Sequence, residues 1–598
     1  MCGICGLISW RGNILSPVVH RMTEILRHRG PDADGFFEHP STGVCLGHSR
    51  LAIIDLSEMG NQPFFNEDRT VVLICNGELY GYQETKKELE DLGHCFFSDS
   101  DNEVLLHAYE QWGMEAWNRF NGIFAAAIFD IKNRKIFLVR DHLGVKPLFW
   151  CLVRQGVAFA SEIKAFSALP PEWWTPSLDM AVVSELMDMP YLLDQEQTIF
   201  QGVRMLPPAS WLEIGLEQNR VEGPHRYWFL KTNPSLEKMD WDSAVSEVEG
   251  ALLRSVKKQM IADVPVGILL SGGIDSSIIT ALAQKGSINP VHTFTAVFDH
   301  QLDERRYASI VSNHVGSEHT QVIIDPGEIN QRIEEIVYYY DDLRSLEGGI
   351  FSLYLVSEKI KKYGIKVLLF GEGADEIFGG YSWYGLSLRP FCWMPQFFRS
   401  AIHHYAVSRT FSRRSNWQHT RRFNRLVKSY EEKDIFRQVA RIEIEHQLPN
   451  HFLMKVDKAT MAHSLEGRVP FLDRDLVELA FSLPRDYKYA GKWFNFSKPD
   501  EKYILRAVGS KYLPQVISSR KKQGFMIPMA EVLKSNPDKV KDYVLAKDSL
   551  SRKLLPERVL RKLFDYKTTL YSPVHKEKEF LLWRCFLLDV WASVYNLK

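Results

Sequence analysis

The chain has 598 residues, with 73 Lys and Arg against 74 Asp and Glu, a net charge of −1, and 45% hydrophobic residues. That balance argues against a broad electrostatic grip on nucleic acid or on a membrane surface, and an aromatic share of 12% argues against extensive disorder. At roughly 100–200 residues per domain the length predicts two to four domains, or two large ones.

The first 165 residues or so read as short strands broken by turns, such as Val71–Cys75 before Asn76-Gly77 and Lys135–Val139 before Arg140-Asp141. Helical spacing interrupts them at Ser16–Arg27 and Glu103–Trp112. The mixture predicts an α+β domain with antiparallel sheet over 2–212. The stretch 213–240 is polar, carries Pro224 and Pro234, and reads as a linker. From Trp241 the texture changes. Trp241–Met260 is helical, Val264–Leu270 is an apolar run of strand length, and Ser276–Gln284 is helical again. Val291–Phe298, Arg305–Val315 and Lys366–Phe370 continue as strand, helix and strand. That alternation predicts an α/β domain with a parallel sheet over 241–590, its part beyond Ser382 mostly helical.

The eight cysteines (Cys2, Cys5, Cys45, Cys75, Cys95, Cys151, Cys392 and Cys585) are sparse and offer no paired CxxC motifs. Neither a disulfide framework nor a zinc site is suggested, and a reducing compartment is expected. No apolar run approaches the ~18 residues of a membrane span, and the first residues lack the regions of a secretory signal. The expected place is the cytoplasm.

Cys2 follows the initiator Met. With Met1 removed it carries a thiol beside a free α-amine of ordinary pKa about 8, which can serve the thiol as a base without a histidine. A buried, inert thiol is the commoner fate of a cysteine. The motifs that follow favour the nucleophile. Met1-Cys2-Gly3-Ile4-Cys5-Gly6, Arg29-Gly30-Pro31-Asp32, Gly47 to Asp55, Asn76-Gly77-Glu78, Ser100-Asp101 and Ser161 to Lys164 occur in that order. The series resembles the class II glutamine amidotransferase domain, an N-terminal nucleophile (Ntn) glutaminase fold. The resemblance implies that Cys2 attacks the side-chain amide of glutamine, with Asn76 and Gly77 as oxyanion hole. It implies a glutamine site of Arg50, Leu51, Ala52, Ile53, Ile54, Asn76, Gly77, Glu78 and Asp101, in which Arg50 meets the α-carboxylate and Asp101 the α-ammonium. Cys5 is expected to be a packed thiol, and His28 and His48 receive no role.

Leu270-Ser271-Gly272-Gly273-Ile274-Asp275-Ser276-Ser277 lies between an expected strand and an expected helix. Glycines let backbone approach a phosphate, and a helix N-terminus aims free N–H groups at it. No Walker lysine is present, so this is not the usual P-loop. The string resembles the pyrophosphate loop of N-type ATP pyrophosphatases, which cleave ATP to AMP and pyrophosphate. That implies an ATP site of Leu270, Ser271, Gly272, Gly273, Asp275, Ser276, Ser277, Ala296, Phe370 and Gly371, with Asp275 holding Mg²⁺.

Phe370-Gly371-Glu372-Gly373-Ala374-Asp375-Glu376, Met461 to Asp473 and Glu501-Lys502-Tyr503 complete the pattern. Together the motifs resemble the glutamine-hydrolysing asparagine synthetases over most of the chain. The resemblance implies that Glu372 acts around the acyl-adenylate step and that Lys502 faces the developing negative charge. It implies amidation of aspartate by way of a β-aspartyl-AMP, with ammonia passing between the centres inside the protein. One stretch departs from the family: Tyr338-Tyr339-Tyr340-Asp341-Asp342-Leu343-Arg344-Ser345-Leu346-Glu347-Gly348-Gly349, and Phe370 stands where serine is usual. The tyrosines are similar to those of β-lactam synthetases. Another acid, a ring-closing ligase and a non-catalytic homologue therefore stay open beside aspartate. If aspartate is the acid, Arg344 is the local candidate for its α-carboxylate. Expected partners are glutamine, ATP and aspartate or another carboxylic acid, with no nucleic acid and no membrane. A homodimer is compatible with the resemblance.

Overall fold

The computed structural model describes residues 1–12, 16–189, 191–298, 304–346, 349–381, 384, 417–430, 432, 434–490, 501–520, 529–564 and 573–597. Its first part is a stack of two six-stranded antiparallel sheets. One runs β10-β8-β9-β1-β3-β2, from β1 (Gly3–Ser9), β2 (Ala33–His39), β3 (Val44–Arg50), β8 (Phe149–Val153), β9 (Gly156–Ala160) and β10 (Val203–Met205). The other runs β12-β11-β7-β6-β5-β4, from β4 (Phe64–Phe65), β5 (Val71–Leu79), β6 (Gly122–Asp130), β7 (Lys135–Arg140), β11 (Ser210–Gly215) and β12 (Arg220–Arg226).

Side-chain alternation explains why the central strands are apolar on both faces. Ile4 and Ile8 of β1 meet Val72 and Ile74 of β5 in the core between the sheets. Cys5 and Leu7 point the other way, onto Val19, Met22 and Leu26 of α1 (Ser16–Leu26). Leu73 and Cys75 of β5 likewise pack on Leu105 and Ala108 of α3 (Asp101–Trp112). Each fully buried Val, Leu, Ile or Met contributes roughly 1.5–3 kcal/mol. The layers are helix, sheet, sheet, helix.

The helix expected at Glu103 starts two residues earlier, because the Ser100 side chain accepts from Asn102 N and caps it. Helix α2 (Tyr82–Asp91) had no clear signal: only Leu89 of its ten residues is buried, so the apolar stripe is missing. The stretch 213–240 is not simply a linker. Glu213–Gly215 ends β11, β12 follows, and Leu212 and Ile214 sit in the inter-sheet core. The crossing segment begins after Arg226, where Trp228 Nε1 donates to Glu478 at 2.7 Å and Asn233 N to Ser482 Oγ at 2.9 Å.

Helix α5 (Trp241–Gln259) opens the second part, whose five-stranded parallel sheet runs β15-β14-β13-β16-β17. Its strands are β13 (Val266–Leu269), β14 (His292–Phe298), β15 (Glu318–Ile324), β16 (Val367–Leu369) and β17 (Glu466–Arg468). Between β13 and β14 runs α6 (Ile274–Gly286), and between β14 and β15 runs α7 (Glu304–Val315). The chain builds outward from β13 through β14 to β15, then returns to place β16 on the other side of β13. Such a reversal opens a crevice at the strands' carboxyl ends, where 270–273 and 370–373 lie. Part of the helical stretch expected beyond Ser382, with Ser382 itself, lies outside the described residues, as do Glu347 and Gly348. The described remainder is helical apart from β17, and its last helix is Pro573–Val594.

Candidate active sites

The first centre forms where β1 begins beside β5. The backbone N of Cys2 donates to Asn76 Oδ1 at 2.9 Å. Asn76 is fully buried, and its Nδ2 has no hydrogen-bond partner among the described residues. A buried amide donor without an acceptor is costly unless a ligand supplies one. Gly77 follows, where a Cβ would stand 2.3 Å from Ile123 O, so only glycine fits. Burial pushes the Cys2 thiol up, against the pull of the nearby amino terminus. The Met1 ammonium lies 3.1 Å from Glu466 Oε2.

Asp101, first residue of α3, accepts from Leu79 N at 2.7 Å. Burial pushes its carboxyl up to about 6. Glu78 is raised further, by burial and by Asp101, while Arg468 stands 3.5 Å away. Arg50 is not a free fork. It donates to Ser57 O at 2.7 Å, to Asn61 Oδ1 at 2.8 Å and to Asp55 O. Leu51 and Ile53 are buried, and Ala52 and Ile54 half-buried. The packed thiol Cys5 contacts Thr23 Oγ1 at 3.3 Å.

Two residues of this centre come from the second part of the chain. Burial would raise Glu466, but Arg468 and the amino terminus hold it at about 2. Arg468 Nε pairs with Glu466 at 2.5 Å. Both lie on β17, inside the Met461–Asp473 motif, whose spacing says nothing of contact with a distant sheet.

The second centre opens at the β13–α6 turn. Gly272 has φ +69°, and a Cβ there would stand 2.6 Å from the Ala308 backbone N. Ser276 Oγ accepts from Ser271 N at 3.2 Å. Leu270, Ser271, Gly273, Asp275, Ser276, Ala296, Phe370, Gly371, Glu372 and Lys502 line one cavity of about 340 Å³. Gly272 shapes the turn outside that lining, its carbonyl accepting from Arg520 at 3.0 Å. Ser277 is fully buried in α6. Lys502 bridges Asp275 at 2.6 Å and Asp375 at 2.7 Å. Burial would lower its ammonium, but the two carboxylates raise it instead. Glu372 pairs with Lys455 at 2.9 Å. Glu304, on the same cavity and absent from the sequence expectation, is pushed up to about 7 by burial.

Arg344 is a correction. It does not line the cavity. It is fully buried and held by Asp342 at 2.5 Å, Asn450 Oδ1 at 2.8 Å and the Gln197 carbonyl. Its neighbour Asp341 pairs with Lys458 at 2.7 Å and accepts from Lys164 N at 3.0 Å. The segment that departs from the family pattern therefore packs between the two halves of the chain.

The centres are joined by buried charges. Arg29 Nε donates to Cys2 O at 3.0 Å, and its Nη1 donates to Glu162 at 2.7 Å and to Asp457 at 2.9 Å. Asp457 and Lys455 both belong to the helix Leu453–Met461.

Residues 1–228 match the glutamine amidotransferase domain family and residues 247–593 the asparagine synthase family. The glutamine-hydrolyzing asparagine synthetase 1 of Bacillus subtilis is 30% identical over 99% of this chain and 97% of its own length. The glutamine-hydrolyzing asparagine synthetase 3 of the same organism is 31% identical, over 94% of this chain and 93% of its own. Amidase chry2 of Gibberella zeae is 32% identical, over 64% of this chain and 59% of its own.

Proposed function

The chain belongs to the glutamine-hydrolysing asparagine synthetase family, and on that premise we propose that it converts aspartate to asparagine through a β-aspartyl-AMP. Glutamine supplies the nitrogen, and glutamate, AMP and pyrophosphate are the other products. One observation carries the reading: the phosphate loop, the Lys502 bridge and the Glu372–Lys455 pair meet on a single cavity. A glutaminase alone has no use for it.

Cys2, freed of Met1, attacks the glutamine amide carbon, and the α-amine takes up the thiol proton. Asn76 Nδ2 and the Gly77 N–H receive the oxyanion; losing one such donor costs about 3–4 kcal/mol. In the second centre Lys502 faces the charge that develops as pyrophosphate leaves. Asp275 and Asp375 offer carboxylate oxygens that fit Mg²⁺, which supplies charge neutralisation to the phosphates when bound. Glu372 receives a proton from incoming ammonia, and Lys455 takes the role first assigned to Arg344. Every described cysteine is a free thiol, which supports a reducing compartment, the cytoplasm. No helix among the described residues is long and apolar enough to cross a membrane.

Incubation with ATP and Mg²⁺ while acids are varied tests the reading. Aspartate is expected to trigger AMP and pyrophosphate release. Silence at millimolar aspartate, with release by a different acid, would overturn asparagine synthesis and leave amidation standing. ADP and phosphate as products would sink the assignment of the loop.

Asp101 gives a pH prediction. The carboxylate is the form that holds an ammonium, and burial sets its pKa at about 6. Glutamine affinity is therefore full above that value and is lost as pH falls through it, by about tenfold per unit. Asp101→Asn should raise the glutamine KM near pH 7.5 and abolish this acid limb, with ammonia-dependent synthesis unchanged. An identical acid limb in the variant would remove Asp101 from the glutamine site.

A further inference from the structure

Away from both centres, four side chains converge from three segments of the first domain. Glu67 follows β4, His94 lies between α2 and α3, and His107 and Glu110 stand three apart on α3, on one face of that helix. Their ligand atoms all lie within 4.8 Å of one another. His107 is fully buried, and neither of its ring nitrogens has a hydrogen-bond partner among the described residues. Its Nδ1 points between two carboxylates, 3.7 Å from Glu67 and 3.6 Å from Glu110. His94 Nδ1 stands 3.5 Å from Glu110 and 3.8 Å from Glu67.

Magnitudes separate two accounts of this cluster. Protonated imidazoles pairing with carboxylates close to about 2.7–2.9 Å, and all four separations are well beyond that. A tetrahedral zinc ion with bonds of about 2.0–2.2 Å sets neighbouring ligand atoms about 3.3–3.6 Å apart. The four histidine–carboxylate separations fall at or just outside that span, and every pair of ligand atoms lies within 4.8 Å.

The surrounding contacts point the same way. Zinc-bound histidines hand their far N–H to an acceptor that fixes the ring. His94 Nε2 meets Gln111 Oε1 at 3.0 Å. His107 Nε2 faces Glu103 at 3.7 Å, and Glu103 is itself held by Phe97 N and Ser98 N, each at 2.8 Å. Glu67 Oε1 accepts from Cys95 N at 2.7 Å and Glu110 Oε1 from Asn66 Nδ2 at 2.9 Å. The Oε2 atoms of Glu67 and Glu110 are those nearest His107, whereas His94 lies nearest Oε1 of Glu67, the oxygen that also accepts from Cys95 N.

We propose that Glu67, His94, His107 and Glu110 form a structural zinc site. Two imidazoles and two carboxylates suit zinc, and four protein ligands leave no position for a reacting water. The ion ties the β4–β5 turn and the loop before α3 to the helix that begins at Asp101. It thereby steadies the residue assigned to the glutamine ammonium. Cysteine spacing gave no sign of the site because no cysteine takes part.

The full-length protein, stripped with chelator, is titrated with ZnCl₂ and desalted, and bound metal is counted by mass spectrometry. Because His107 is packed in the core, the variants are His94→Ala and Glu67→Gln, whose side chains are partly exposed. Wild type is expected to retain one zinc per chain, to melt higher with zinc, and to give the intense visible bands of tetrahedral Co²⁺ when cobalt is substituted. The variants should lose at least about tenfold in zinc affinity and the melting shift, while ammonia-dependent synthesis persists. Substoichiometric zinc in wild type, or equal uptake by wild type and both variants, would overturn the proposal.

Discussion

Cys2→Ala is expected to reduce glutamine-dependent synthesis by roughly 10⁴- to 10⁶-fold, the scale of losing a nucleophile, while synthesis from ammonium salt continues. The expectation rests on two separations in the structure. Cys2 meets Asn76 through its backbone N at 2.9 Å, whereas the cavity proposed to bind ATP is lined wholly by residues from Leu269 onward. Alanine keeps the backbone contact and deletes only the sulfur. The thiol is raised by burial, so a nucleophile here needs a base at hand, and the proposed base is the amine that removal of Met1 would expose. Glutamine hydrolysis at the wild-type rate in the variant would rule Cys2 out as nucleophile. Met1 retained in the mass of active protein would rule out the amine.

The converse lesion is Asp275→Asn. It should lower AMP and pyrophosphate formation by about 10²- to 10³-fold, the scale for one preorganised charge contact in a transition state, and leave glutamine hydrolysis intact. Asparagine keeps the volume, and Lys502 keeps Asp375 at 2.7 Å, so the fold is not left with an unpaired buried ammonium. Pyrophosphate formation unchanged in the variant would take Asp275 out of the ATP site. Together the two variants dissociate the half-reactions in opposite directions.

The two fold classes were legible because each leaves a different periodicity. Short strands broken by turn-forming residues filled the first part, and apolar runs alternating with helical spacing filled the second. Most strand limits came out within a residue or two, as at Val266–Leu269 within the expected Val264–Leu270, but β5 runs on through the expected Asn76-Gly77 turn to Leu79, because both residues pair with β6. Among the elements that escaped, two did so for plain physical reasons. α2 hides almost nothing, and β17 is three residues of Glu, Gly and Arg that become a strand only by pairing with β16. The cavity residues were legible because they cluster in short motifs. Arg344 was misread because its partners are tertiary: Asn450 and the Gln197 carbonyl lie far off in the chain. Glu466 and Arg468 were in plain view, but no local pattern reveals that they close a site built by another domain.

The helix Leu453–Met461 has nine residues, and two of them, two positions apart, hold partners in opposite halves of the molecule. Lys455 holds Glu372 at 2.9 Å, and Asp457 holds Arg29, which holds the Cys2 carbonyl. Hydrogen bonds of this kind keep to lengths of about 2.7–3.2 Å. A slide of the helix by even half an ångström therefore alters both grips together. One short helix thus carries a contact of each centre, so neither Lys455 nor Asp457 can be displaced along its axis without the other.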